Sequence, residues 1–244
     1  MKKGVKAILL IVSLCVIGGY LVFASCFASK RHAKQYCTGM TICVKDSTER
    51  QFVSSRELEK LIKQQQSDPT GKILKEVSTK DIEDAIERHP LLETVEVYKS
   101  KDGRVCIDVT QRTPYLRVIG EESYFVDTNR KIMPVGFTTA SYVPVLTGRV
   151  TKKRATNDLY DFVEFLENDD FWHAQIVQIN VTPNQQIELI PRVGDQVILL
   201  GKLDGYKKKL DKLETFYTSV MNKRGWLSYK EIDLRYHGQV IGRR

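Results

Sequence analysis

Ala7 to Ala28, AILLIVSLCVIGGYLVFASCFA, is a run of 22 residues without a charged side chain. A helix rises 1.5 Å per residue, so about 20 residues cross the roughly 30 Å hydrocarbon core of a bilayer. The run therefore predicts a transmembrane helix over 7–28. Gly18 and Gly19 fit there because a helix satisfies its own backbone groups, and Tyr20 and Phe27 suit headgroup level. Two processing alternatives compete: a cleaved signal peptide, whose apolar region normally has only about 7–15 residues, and lipoprotein processing at Cys26 after Phe23-Ala24-Ser25. Lys2, Lys3 and Lys6 precede the run and Lys30, Arg31 and Lys34 follow it, so positive charge alone does not orient the span. The expected organisation is a head at 1–6, the span at 7–28 and a juxtamembrane linker at 29–40.

Those six cations also account for most of the formal charge of +8. The first 34 positions contain no Asp or Glu, which leaves 32 basic against 30 acidic residues in the remainder. Such a nearly neutral remainder carries no nucleic-acid stripe. Cys37 and Cys43 are close enough in sequence to bridge in an oxidising compartment, with Cys106 left over, and whether they do so stays open. No tight Cys/His spacing suggests a metal, and His32, His89, His173 and His237 are scattered. Phosphate-loop, zinc-protease and nucleophile-elbow motifs are absent from the sequence, so neither an enzyme, a cofactor nor a small-molecule substrate is expected.

From residue 41 the pattern is β-α-α-β-β. Thr41 to Val44 is a β-branched run, and Ser54 caps a helix with Leu58, Leu61 and Ile62 on one face. After the polar stretch Gln64 to Lys72, Ser78 with Asp81 opens a second helix that buries Ile82, Ala85 and Ile86. His89-Pro90 stops it. Val95 and Val97, then Val105, Ile107 and Val109, alternate about Ser100-Lys101-Asp102-Gly103, a hairpin signal.

Beyond residue 112, Tyr124 to Met133 predicts a hairpin turning near Asn129, and Val143 to Gly148 a short strand. Asn157 to Phe171 has a helical stripe of Leu159, Phe162, Val163 and Leu166. Strands are expected at Ile176–Val181, Gln186–Ile190 and Gln196–Leu200, a helix at Lys207–Met221 and a strand at Ile232–Tyr236. Asn168-Asp169-Asp170 and the charges from Asp204 to Lys212 suit solvated helix ends and faces.

Several segments carry a resemblance. His89-Pro90-Leu91-Leu92-Glu93-Thr94-Val95-Glu96-Val97, Val105 to Val109 and the exit Gln111-Arg112-Thr113-Pro114 resemble the POTRA domain of the bacterial division protein family FtsQ (DivIB). Tyr124 to Asp127, Pro144-Val145-Leu146-Thr147-Gly148, Leu200-Gly201-Lys202 and Asp233-Leu234-Arg235-Tyr236 resemble its C-terminal β domain. Val44-Lys45-Asp46 and Lys101-Asp102-Gly103 depart from the family pattern, both in turns. The resemblance implies an α+β fold: the transmembrane helix, a POTRA domain over 41–112, and a mixed β domain with two flanking helices over 113–244. It implies a single-pass type II protein of the cell inner membrane, enriched at the division septum, with its bulk in the periplasm. The implied partners are FtsB/FtsL-like division proteins and other divisome components, besides the lipid bilayer. The alternative is a POTRA-type chaperone or transport component of envelope assembly.

The chain end is where sequence and resemblance meet. After Asp233 to Tyr236, His237 to Arg244 forms a short strand with no later segment to cover it, and an uncovered edge accepts a partner strand. The expected partner-binding residues are Asp233, Leu234, Arg235, Tyr236, Gly238, Gln239, Val240, Ile241 and Gly242. The competing possibility is a central core strand followed by a frayed end.

Overall fold

The computed structural model describes residues 12–25, 35–45, 52–135 and 142–244. Residues 12–25 form helix α1, with Leu14, Val16 and Leu21 exposed. Among the described residues no helix is long and apolar enough to cross a membrane. The rest of the expected span, 7–11 and 26–28, and its flanks Lys2, Lys3, Lys6, Lys30, Arg31 and Lys34 lie outside the described residues. The chain divides into two compact units between Gln111 and Arg112.

In the first unit β1 (Gly39–Val44), α2 (Ser55–Gln64), α3 (Thr79–Ile86), β2 (Leu92–Lys99) and β3 (Arg104–Gln111) follow in order. Both helices start where a serine oxygen accepts a backbone N–H: Ser54 from Glu57 and Ser78 from Asp81, each at 3.2 Å. The sheet order is β1-β3-β2, with β1 parallel to β3 and β2 antiparallel to it. Alternation along β3 turns Val105, Ile107 and Val109 inward with Leu58, Ile62, Ile82 and Ile86, while Leu61 is only half-buried. Cys37 and Cys43 are unbridged. The Cys37 thiol is buried and donates to the Gly39 carbonyl at 3.4 Å. Cys43 pairs in register with Asp108, so it lies on the sheet face opposite buried Val44 and Val109.

One polar side chain holds the entry to α2. Gln111 is buried, and its Oε1 accepts from Phe52 N at 2.8 Å and Val53 N at 2.9 Å. Gln111→Leu leaves both amides without that acceptor in the interior, so it should destabilise this unit by about 1–2 kcal/mol. Urea unfolding followed by circular dichroism checks the loss. Both tryptophans, Trp172 and Trp226, belong to the other unit, so their fluorescence transition should not move.

The second unit contains β4 (Pro114–Ile119), β5 (Tyr124–Asp127), β6 (Ile132–Pro134), β7 (Val145–Gly148), α4 (Lys152–Ala155), α5 (Asp158–Glu167) and α6 (Asp170–Gln175). They are followed by β8 (Ile176–Val181), β9 (Ile187–Pro191), β10 (Val197–Gly201), α7 (Tyr206–Phe216), β11 (Glu231–Asp233) and β12 (Ile241–Arg243). Helix α7 continues through a π-helical turn at Tyr217–Met221 into Asn222–Arg224. The nine strands form one sheet ordered β12-β11-β10-β9-β8-β7-β4-β5-β6. It is parallel at β4/β7, β7/β8 and β10/β11 and antiparallel elsewhere.

Helix and sheet side chains share one core: Leu159, Phe162, Val163 and Leu166 of α5 and Leu210 and Leu213 of α7 join Leu146, Ile179, Leu189, Ile198 and Ile232. The helix expected over Asn157–Phe171 is two helices. Asp169 interrupts it, because its carboxylate accepts from Phe171 N at 3.0 Å and Trp172 N at 3.1 Å and starts α6 as an N-cap. More than two helices therefore flank this sheet. At the β5–β6 turn, buried Asp127 accepts from Asn129 N at 2.9 Å and Lys131 N at 2.6 Å and pairs with Arg112 at 2.8 Å.

Candidate functional site at the C-terminal edge of the sheet

β12 is the last strand of the sheet and, among the described residues, pairs with β11 alone. The ladder has three pairs: Glu231 with Arg243, Ile232 with Gly242 and Asp233 with Ile241. Its outer side has no strand neighbour among the described residues, which leaves backbone donors and acceptors available for pairing.

The nine expected residues divide by position. The strand expected over Ile232–Tyr236 ends at Asp233, the first residue of the Asp-Leu-Arg-Tyr motif. Leu234 still donates its N–H to Leu199 O at 3.0 Å and is fully buried, so Asp233 and Leu234 support the edge from beneath and present no side chain to a partner. Arg235, Tyr236, Gly238 and Gln239 form an exposed connector, with Tyr236 at 45% exposure, and Gly238 makes its turn at φ +77°. Val240 packs partly on the core, and Ile241 and Gly242 lie on the edge strand.

The motif stops extending because Asp233 is gripped from its own chain. Its buried carboxylate receives Arg235 Nη2 at 2.6 Å, Arg235 Nε at 2.9 Å and Arg235 N at 3.1 Å, and Arg243 Nη2 lies 3.7 Å away. The Arg235 hydrogen bonds hold the Asp233 carboxyl below the usual carboxylate range, although burial pushes the other way. Asp233 in turn raises the guanidinium of Arg235. Arg243 also pairs with Glu231 across the ladder. Gly201 fits beneath this fork: its φ is +80°, and a Cβ there would sit 2.9 Å from Arg235 Cγ.

Beside the connector lies a groove of about 720 Å³, walled by the start of α7 and by Leu234 to Gly238. Lys202, Lys208, Lys209, Lys212 and Arg235 line it, against the single acid Asp204. Lys209 Nζ donates to Lys202 O at 2.7 Å and lies 3.4 Å from Asp204, while Lys212 Nζ donates to Tyr236 O at 2.9 Å and Gln239 O at 3.4 Å. The remaining lysines, Lys202 and Lys208, are exposed. The arrangement suits a strand pairing along β12 with a carboxylate placed beside it; it holds no nucleophile and base in contact.

Sequence reasoning missed Lys212, Lys208 and Tyr229. Tyr229 stacks over Gly242, whose Cβ, if present, would meet the ring at 2.5 Å. No local pattern signals these contacts, since Lys212 reaches across 24 positions to Tyr236. Gly201 and Lys202 of the Leu200-Gly201-Lys202 segment line the groove, upstream of the residues expected to bind a partner.

Comparison with known families divides the chain as the fold does. Residues 35–110 match a POTRA-like domain, and residues 113–243 match the model described as FtsQ/DivIB, C-terminal related. No curated protein gives a significant match. The second match covers more than half of the chain, includes both the groove and the edge strand, and follows a POTRA-like unit; the chain belongs to the FtsQ/DivIB family.

Proposed function

We propose that the chain is a scaffold of the bacterial cell-division machinery that captures an FtsB/FtsL-like subcomplex by strand addition along β12, linking early and late division proteins. Family membership supports the division role and a non-catalytic one. The observation that carries the docking mode is the unpaired outer side of β12, braced from beneath by the Asp233–Arg235–Arg243 cluster. An added strand gains main-chain hydrogen bonds along its length, and side-chain pockets supply selectivity. Lys202 and Lys208 give the neighbouring groove its preference for an acidic side chain on the incoming segment.

In this reading the uncharged run from Ala7 to Ala28 anchors the protein in the inner membrane as a single-pass type II protein, flanked by Lys2, Lys3, Lys6, Lys30, Arg31 and Lys34. The folded units stand in the periplasm at the septum. The test is co-purification of the full-length protein with its cognate FtsB- and FtsL-like proteins. Combining Tyr236→Glu with Val240→Asp should weaken capture at least about tenfold, as expected when a hydrophobic hot spot is replaced by charge. Tyr236 is exposed and Val240 packs only partly on the core, so the tryptophan fluorescence of the folded unit should be retained and the melt should fall by no more than a few degrees. Undiminished capture by this variant overturns strand addition at β12.

A further inference from the structure

Lys212 lies on α7, half-buried, with its ammonium over the β11–β12 connector. A single Nζ donates to two carbonyls, Tyr236 O at 2.9 Å and Gln239 O at 3.4 Å, on either side of the positive-φ turn at Gly238. The connector spans 234–240 and closes a ladder of only three residue pairs. So short a two-stranded ladder is marginal without outside support, and closing its loop carries an entropic cost. Lys209, one turn earlier, is occupied by Lys202 O and Asp204 and does not replace Lys212.

We infer that Lys212 is a positioning residue: it ties the connector to α7 so that β12 stands as a formed edge before any partner arrives. The inference rests on the strand-addition reading above. An edge that is open for most of the time binds in proportion to its closed fraction, so lowering that fraction tenfold lowers apparent affinity tenfold with no contact to the partner changed. A charged donor to two carbonyls is strong enough for a shift of that size.

Hydrogen exchange on the full-length protein in detergent micelles tests this, with Lys212→Met, Lys212→Arg and the docking variant Val240→Asp compared with the parent. Lys212→Met should speed exchange of the amides from Tyr236 to Arg243 about tenfold. The amides of Leu210 and Leu213 and of β8 to β10 should keep their protection. Arginine, which can also reach two carbonyls, should restore most of it. Capture of the co-expressed FtsB- and FtsL-like proteins should weaken about tenfold in Lys212→Met and recover in Lys212→Arg. Unchanged exchange in Lys212→Met overturns the inference. So does faster exchange with full capture, provided Val240→Asp abolishes capture. If Val240→Asp leaves capture intact as well, strand addition is what fails, and the exchange result alone then decides whether Lys212 holds the edge.

Discussion

Gly242→Val should detach β12 from the sheet, destabilise the C-terminal unit by about 2–3 kcal/mol and lower partner capture at least about tenfold. A Cβ at position 242 would lie 2.5 Å from Tyr229 Cδ1 and 2.6 Å from Cε1, closer than carbon atoms approach. The ring also packs against Phe216, with centroids 5.5 Å apart, and is partly buried on the core, which limits how far it can move aside. The strain therefore falls on the weaker structure, the three-pair ladder in which Gly242 faces Ile232. Deuterium uptake from Ile241 to Arg243 measures the detachment, and the tryptophan-monitored melt should fall by several degrees. The second-site change Tyr229→Ala removes the obstacle, though with it the ring's own packing, and should return part of the protection and capture lost in the Gly242→Val background. Retention of protection in Gly242→Val alone contradicts this picture of the edge.

Elements with local chemical signals are the ones legible in the sequence. Ser54 and Ser78 cap their helices as their positions suggest, and Asp102-Gly103 turns between β2 and β3, with Gly103 at φ +81°. Tyr124 to Asp127 and the strands from Ile176 to Gly201 also lie close to the positions their alternation indicates. Where long-range contacts compete with a local pattern, the sequence misleads. The stripe from Leu159 to Phe171 continues through Asn168-Asp169, yet burial of Trp172 and capping by Asp169 redirect the chain into a second helix. Asp233 to Tyr236 alternates like one strand, but both Asp233 and Leu234 are buried and Arg235 folds back on Asp233.

The same distinction governs the candidate site. β12 lies at one end of the sheet, and among the described residues no strand covers its outer side. What braces it is nonlocal: Tyr229 over Gly242, Gly201 under Arg235 and Lys212 on the connector depend on the way α7 returns across the sheet. These residues decide whether the edge is rigid, and rigidity matters because ordering a segment during binding subtracts directly from affinity.

Asp233→Ala should cost the C-terminal unit about 2–3 kcal/mol at neutral pH, since it removes a buried carboxylate that takes charged hydrogen bonds. Arg235 and Arg243 are about half exposed, so both regain water when the carboxylate is removed, and the loss stays below that of a wholly buried pair. The pH dependence identifies the cause. Arg235 holds the Asp233 carboxyl below its ordinary value in the folded state. Its contribution is therefore complete above the unfolded value of about 3.9 and is lost as pH falls through the folded one. The stability gap between parent and Asp233→Ala should accordingly be constant from about pH 5 to 7 and close progressively below about pH 4. Asp233→Asn keeps the side-chain volume without the charge and should show the same closing gap. Urea unfolding read from Trp172 and Trp226, both in this unit, measures it directly. A gap that persists undiminished at the lowest pH assigns the loss to packing and removes the ion-paired carboxylate as the brace of the edge.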